Sequence, residues 1–324
     1  MEAKDSKLRP RPAITAVPQI EETDSKYKEL ILTLPKDEEE RVKYRKYQGF
    51  WYAEHHLPGI LAMQEVFKPR PNDVILASFP KSGATWLKAL TFTVMHRDKY
   101  AFSHHPLLEL NPHDCVPFIE FHYAFRDEQY LETLPSPRVL ATHSACSTLP
   151  ESIMTSTCPI VYICREPKDV LVSYWHMITK LEYLKEPPSF AQTFESFCEG
   201  RVHGGPVWEH VLEYYTKSLC NPEKILFLKY EQMLECPIDG VMRLANFIGC
   251  PFSEDELKNG LVEKIIEFCS FDKLKDADVN NNLKNGCFFR KATVGDWKNC
   301  MTPVMANKLD KITEEKLRGF SFTL

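Results

Sequence analysis

The chain has 324 residues, of which 44% are hydrophobic and 12% aromatic, enough to bury a large core and to line an apolar pocket. A formal charge of −5 excludes the dominant basic face of a nucleic-acid binder, although it leaves room for a local basic site. No apolar run reaches the roughly 18 to 20 residues that span a bilayer, and the 11 cysteines are scattered without a Cys-x-x-Cys pair. Six of them (Cys146, Cys158, Cys164, Cys198, Cys250, Cys269) sit in or beside apolar stretches, as reduced, buried thiols do, so the expected setting is cytoplasmic.

Taken in chain order, residues 1–25 mix acidic and basic side chains with prolines and have no apolar centre. They read as a mobile tail, not as a signal or transit peptide. A helix is predicted over Lys26–Leu34. The run Val74–Phe79, bounded by Pro71-Asn72 and Pro80, reads as a buried strand, and Trp86–Met95 follows with helical spacing. Further buried strands are expected at Val139–Thr142, Ile160–Cys164 and Ile225–Lys229. The last two lead into helices at Pro167–Lys180 and Pro237–Ile248. Helices at Glu254–Cys269 and Pro303–Arg318 and a polar loop over Asp276–Gly286 complete the chain. Alternating strands and helices imply an α/β fold of three layers, with a central, mostly parallel sheet flanked by helices. No Gly/Ser- or Pro-rich linker divides residues 26–324, which read as one domain.

The most informative stretch is Pro80-Lys81-Ser82-Gly83-Ala84-Thr85-Trp86, between a strand and a helix. A turn there aims backbone N–H groups and the positive end of a helix dipole at one point, which suits a phosphate. Lys81 adds a charge, and Ser82 and Thr85 add hydroxyls. The loop is not a Walker A motif, because Lys81 precedes the glycine and the leading glycine is missing. A strand-to-helix turn with Ser82 as a simple N-cap is the rival reading. The strand Ile160–Cys164 ends in Arg165, where a Mg-dependent phosphoryl-transfer enzyme wants an aspartate, so a nucleotide bound without metal fits better. A small-molecule kinase of the P-loop type is the first alternative.

Together with Thr142-His143, Arg165 and Ser173, Tyr230, and the run Phe289-Arg290-Lys291-Ala292 before Gly295-Asp296-Trp297-Lys298-Asn299, this loop closely resembles the cytosolic sulfotransferases. The resemblance runs from about Tyr47 to Phe320. Gly49-Phe50-Trp51, Asn111-Pro112-His113 with Val116-Pro117-Phe118, and Phe197-Cys198-Glu199-Gly200 look more like the plant branch. It implies a 3′-phosphoadenylyl sulfate donor, with adenosine 3′,5′-bisphosphate (PAP) as product. Lys81, Ser82, Gly83, Ala84, Thr85 and Trp86 would wrap the 5′-phosphate. Arg165, Ser173, Arg290, Lys291 and Ala292 would hold the 3′-phosphate, and Trp86, Tyr230, Ser270 and Phe271 would surround the adenine. His143 would be the general base, with Lys81 and Ser173 beside the reacting groups. The chemistry agrees. An alcohol needs a base within reach, imidazole has a suitable pKa, and Lys81 can stabilise charge on the departing phosphate oxygen.

Ala84 stands where the resembling family usually has threonine and Ala292 where it has glycine, so one hydroxyl is lost and one backbone conformation becomes awkward for alanine. These departures leave open a homologue with weakened donor binding or without catalysis. The segment Lys298–Asn307 keeps Lys298 and Thr302 of the dimerisation pattern but has Pro303 and Asn307 at two other positions, which favours a monomer. Phe118, Phe121, Phe50 and Trp51 are the leading candidates for an apolar acceptor pocket, with Tyr52, Tyr123, Phe125 and Tyr174 behind them. The acceptor classes implied are flavonoids, steroid-like alcohols, desulfoglucosinolates and hydroxyjasmonates. The pairs His55-His56 and His104-His105 lack partners at ligand spacing, so no metal is expected.

Overall fold

A computed structural model describes residues 8–9, 25–37, 42–180, 184, 186–280 and 285–324. The expected mobile tail therefore lies outside the described residues except for Leu8, Arg9 and Ser25, and so do residues 281–284 of the expected polar loop. Arg9 lies against the body, pairing with Asp127 at 2.5 Å.

A short antiparallel hairpin of β1 (Tyr44–Tyr47) and β2 (Phe50–Ala53) comes first. Its turn residues Gln48 and Gly49 have φ of 48° and 92°, the two positive values of a type I′ turn, whose twist matches that of the flanking strands. Strands this short carry too few alternations to register in the sequence, and the hairpin was not expected.

The four expected strands are all present: β3 (Val74–Ser78), β4 (Val139–Thr142), β5 (Ile160–Cys164) and β6 (Ile225–Lys229). They form one parallel sheet in the order β4-β3-β5-β6. Alternate side chains of each strand point to opposite faces. Ile75, Ala77, Leu140, Ile160 and Tyr162 enter one apolar core, while Val74, Leu76, Ala141, Val161 and Ile163 enter the other. Both faces are covered, which is why these strands are apolar throughout instead of alternating.

The long helices fall close to their expected bounds: Ser25–Thr33, Ala84–Met95, Pro167–Ile178, Pro237–Phe247 and Pro303–Leu317. One expectation fails. Glu254–Cys269 is two helices, Glu254–Lys258 and Leu261–Phe268, broken where Gly260 takes φ of 66°. Asn259-Gly260 is a turn signal that the helical periodicity on either side concealed.

The strand order fixes where a ligand can sit. The chain leaves β3 toward β4 on one side and leaves β5 toward β6 on the other, so the connections diverge between β3 and β5. In open parallel sheets that divergence opens a crevice at the carboxyl ends of the strands. Pro80–Trp86 follows β3, His143 follows β4, Arg165 follows β5 and Tyr230 follows β6.

Candidate active site

The loop after β3 turns sharply. Lys81 has φ of 70° and Gly83 φ of 110°. Gly83, not Ser82, is the N-cap of the helix Ala84–Met95, and no side chain caps it. The simple capping role for Ser82 is thereby excluded. A Cβ on Gly83 would lie 2.8 Å from Tyr230 Cδ2 and 3.3 Å from Ile163 Cδ1, so a side chain there would be both strained and blocked. The first intrahelical bond runs from Leu87 N to Gly83 O at 3.0 Å. The N–H groups before it belong to the open end of the helix. Trp86 meets the Tyr230 ring edge-on at 5.6 Å.

His143 stands one residue past β4. Its Nδ1 lies 2.8 Å from the Ser78 carbonyl oxygen. A carbonyl only accepts, so Nδ1 carries the proton and Nε2 keeps its lone pair. Burial pushes the imidazole well below its ordinary pKa. The Ser78 bond opposes that shift, while Lys88, His203 and His210 reinforce it. A neutral ring with a bare Nε2 can accept a proton. The Phe118 ring lies 4.4 Å from the imidazole and Phe121 lies 6.5 Å away. Phe121 in turn stacks on His56 at 4.7 Å.

Groups from distant segments meet around Tyr230. The Arg165 guanidinium lies 4.5 Å over the Tyr230 ring and donates to Thr293 O at 2.9 Å. Tyr230 OH donates to Ala292 O at 3.1 Å. Gly83, Tyr230, Arg165 and the 292–293 backbone are thus one contiguous cluster. Ala292 has φ of 55°, the left-handed region in which alanine is awkward. Arg290 and Lys291 both pair with Asp296, the latter at 2.8 Å. Burial pushes the Asp296 carboxyl up, but bonds from Lys291, Arg290 and Asn299 outweigh that and hold it far below the usual carboxylate range. Ser173 is buried on the helix Pro167–Ile178. Ser270 is the N-cap of the short helix Phe271–Asp276, and the Phe271 ring lies 6.2 Å from Phe289.

The pocket candidates separate. Phe118 and Phe121 adjoin the imidazole. Phe50 instead packs in a core with Tyr52, Leu57 and Ile60 and meets His210 edge-on at 6.0 Å. Trp51 bridges to Gly205 along the backbone, its ring 5.8 Å from Lys46 Nζ. Tyr52 and Tyr174 are buried and hydrogen-bonded to Thr148 and Tyr44. Among the described residues, no group of three or more His, Cys, Asp or Glu side chains is arranged to hold a metal.

Four residues beside the predicted site had been given no role from the sequence. Asp169 is fully buried and accepts the backbone N–H groups of Gly295 at 2.7 Å and Trp297 at 3.0 Å, fastening the C-terminal strip to the crevice. Glu120 accepts the His143 N–H at 2.7 Å, and burial, opposed by that bond, pushes its carboxyl up to about 7. Lys88 and His113 join Thr85 in a buried chain of hydrogen bonds. A signal existed for Glu120 and Lys88, since each is a charge inside an apolar run. Asp169 looked like an ordinary acid in the first turn of a helix.

Residues 71–321 match the family described as Sulfotransferase domain. Cytosolic sulfotransferase 5 of Arabidopsis thaliana is 46% identical, over 93% of this chain and 97% of that protein. A crystal structure of an Arabidopsis thaliana sulphotransferase superposes with a TM-score of 0.75 at 37% identity, covering 91% of this chain and 94% of that one. Mouse sulfotransferase SULT7A1, solved in complex with PAP, superposes with a TM-score of 0.67 at 26% identity, covering 86% and 95%. No described helix is long and apolar enough to cross a membrane. The loop after β3, the imidazole after β4 and the basic strip from Phe289 to Asn299 thus sit in a chain that belongs to the sulfotransferase family, on its plant cytosolic branch, and is a sulfotransferase enzyme.

Proposed function

We propose that this enzyme moves a sulfuryl group from 3′-phosphoadenylyl sulfate to the hydroxyl of a small, flat, apolar acceptor, with His143 as general base and without a metal. One observation carries the reading. The imidazole after β4, the Lys81 loop after β3, Arg165 after β5 and Tyr230 after β6 share the carboxyl edge of one parallel sheet, and Tyr230 links Gly83 to Arg165 and Ala292. PAP bound to the mouse relative supports the nucleotide identity.

In this scheme the N–H groups of the loop and Lys81 hold the 5′-phosphate, while Arg165, Ser173, Arg290 and Lys291 take the 3′-phosphate. Guanidinium groups suit a dianion because they bind it in a bidentate way. Trp86, Tyr230 and Phe271 flank the base, near Ser270. His143 Nε2 takes the proton of the acceptor hydroxyl as its oxygen bonds to sulfur. The bond from sulfur to the bridging phosphate oxygen breaks, and Lys81 stabilises the charge left there. The ring series His143, Phe118, Phe121 and His56 favours a planar aromatic or steroid-like acceptor. Residues 26–324 act as one catalytic domain and the chain as a cytoplasmic monomer.

The test joins binding with turnover. PAP is expected to bind without Mg²⁺ and ahead of ATP. His143→Ala is expected to lose about 10²–10⁴-fold in turnover on a phenol and flavonol panel while holding PAP as before. Full turnover in that variant would remove the base from the scheme.

A further inference from the structure

Behind the phosphate loop, a buried cation is linked to a loop hydroxyl through an imidazole. Lys88 is fully buried on the helix Ala84–Met95. Its Nζ lies 2.8 Å from Val116 O, 3.0 Å from His113 Nδ1 and 3.2 Å from the centre of the Phe118 ring. An ammonium group only donates, so His113 Nδ1 accepts and the proton of the neutral ring sits on Nε2. That Nε2 lies 2.9 Å from Thr85 Oγ1. Thr85 must therefore accept from His113, which turns its own hydroxyl proton away from the imidazole. Thr85 stands in the first turn of the helix, where the open backbone N–H groups gather.

We propose that Lys88 and His113 are positioning residues that lock the Thr85 hydroxyl as a donor to the 5′-phosphate. The inference rests on the donor reading above and deepens it. A lone threonine hydroxyl rotates and presents either a proton or a lone pair. Here one lone pair is already engaged by a fixed N–H, so the remaining proton is preset for an anion. The ammonium at the far end polarises each bond in the same direction, which strengthens a donor facing negative charge. Ala84 next door has no hydroxyl, so Thr85 carries this contact by itself in the first turn.

The experiment titrates PAP and adenosine 3′-monophosphate into the native chain, Thr85→Val, His113→Ala, Lys88→Met and the Thr85→Val/His113→Ala double variant. Each single variant is expected to weaken PAP about tenfold. The double variant is expected to match Thr85→Val alone within about twofold, because both changes remove one pathway. Adenosine 3′-monophosphate, which lacks the 5′-phosphate, is expected to bind native and variants alike, an outcome that general loosening of the fold would not give. If the single losses multiply in the double variant, or if His113→Ala holds PAP as the native chain does, the relay is overturned while the donor reading stands. A native chain that fails to hold PAP overturns both. Lys88→Met probes the same relay from its other end, so a poorly folded His113→Ala does not rescue the proposal.

Discussion

The two ends of the proposed nucleotide site are built in opposite ways. The loop Pro80–Trp86 is local: a strand, a turn and a helix succeed one another within about a dozen residues, and its shape is set by Lys81 and Gly83 adopting positive φ. The strip from Phe289 to Asn299 has only a short 3₁₀ turn, Asp296–Asn299, of its own. It is held by Asp169 on two of its N–H groups, by Arg165 on Thr293 and by Tyr230 on Ala292, partners that lie far back in the chain. A local site resists distant change and fails by backbone strain. A recruited site fails when one remote tether is cut.

The largest effect expected from this contrast comes from breaking the local end. Gly83→Val places a β-branched side chain at φ of 110° against Tyr230. It should weaken both PAP and 5′-AMP about 100-fold, since strain of this kind costs about 1–3 kcal/mol before the ring is displaced. Equal loss for the two ligands in calorimetry is the signature; a loss confined to PAP would contradict it. Cutting the tether is next. Asp169→Asn keeps one acceptor oxygen for two N–H groups and should weaken PAP about tenfold while leaving 5′-AMP unchanged. If 5′-AMP suffers as much, the two ends are not separable. The smallest effect belongs to Ala292→Gly. A left-handed alanine costs about 1–2 kcal/mol, partly offset by the greater freedom of an unfolded glycine. The melting temperature should therefore rise by about 1–2 °C, and a fall would show that the alanine methyl packs usefully.

The same contrast explains what could be read in advance. β3 to β6 were legible because a strand covered on both faces is a short apolar run with sharp ends, and the phosphate loop lies directly after such a run. The hairpin of Tyr44–Ala53 was not, because four-residue strands hold too little pattern. Basic residues such as Arg290 and Lys291 were visible as types, yet Asp169, which fixes their segment, lies more than 120 positions away. Its tether is a tertiary hydrogen bond with no spacing to detect. Phe50 packs in a core while Phe118 and Phe121 adjoin the imidazole, a difference that aromatic residues do not show along the chain.

Asp296 gives the recruited end one more property. With Arg290 and Lys291 already satisfied by this carboxylate, the arginine and lysine do not wait as a bare positive field. On the donor reading, an incoming 3′-phosphate trades places with a resident anion, so what the pocket senses is the difference between a dianion and a monoanion. Selectivity for the doubly charged group then comes from that exchange, and stray monovalent anions gain little by entering.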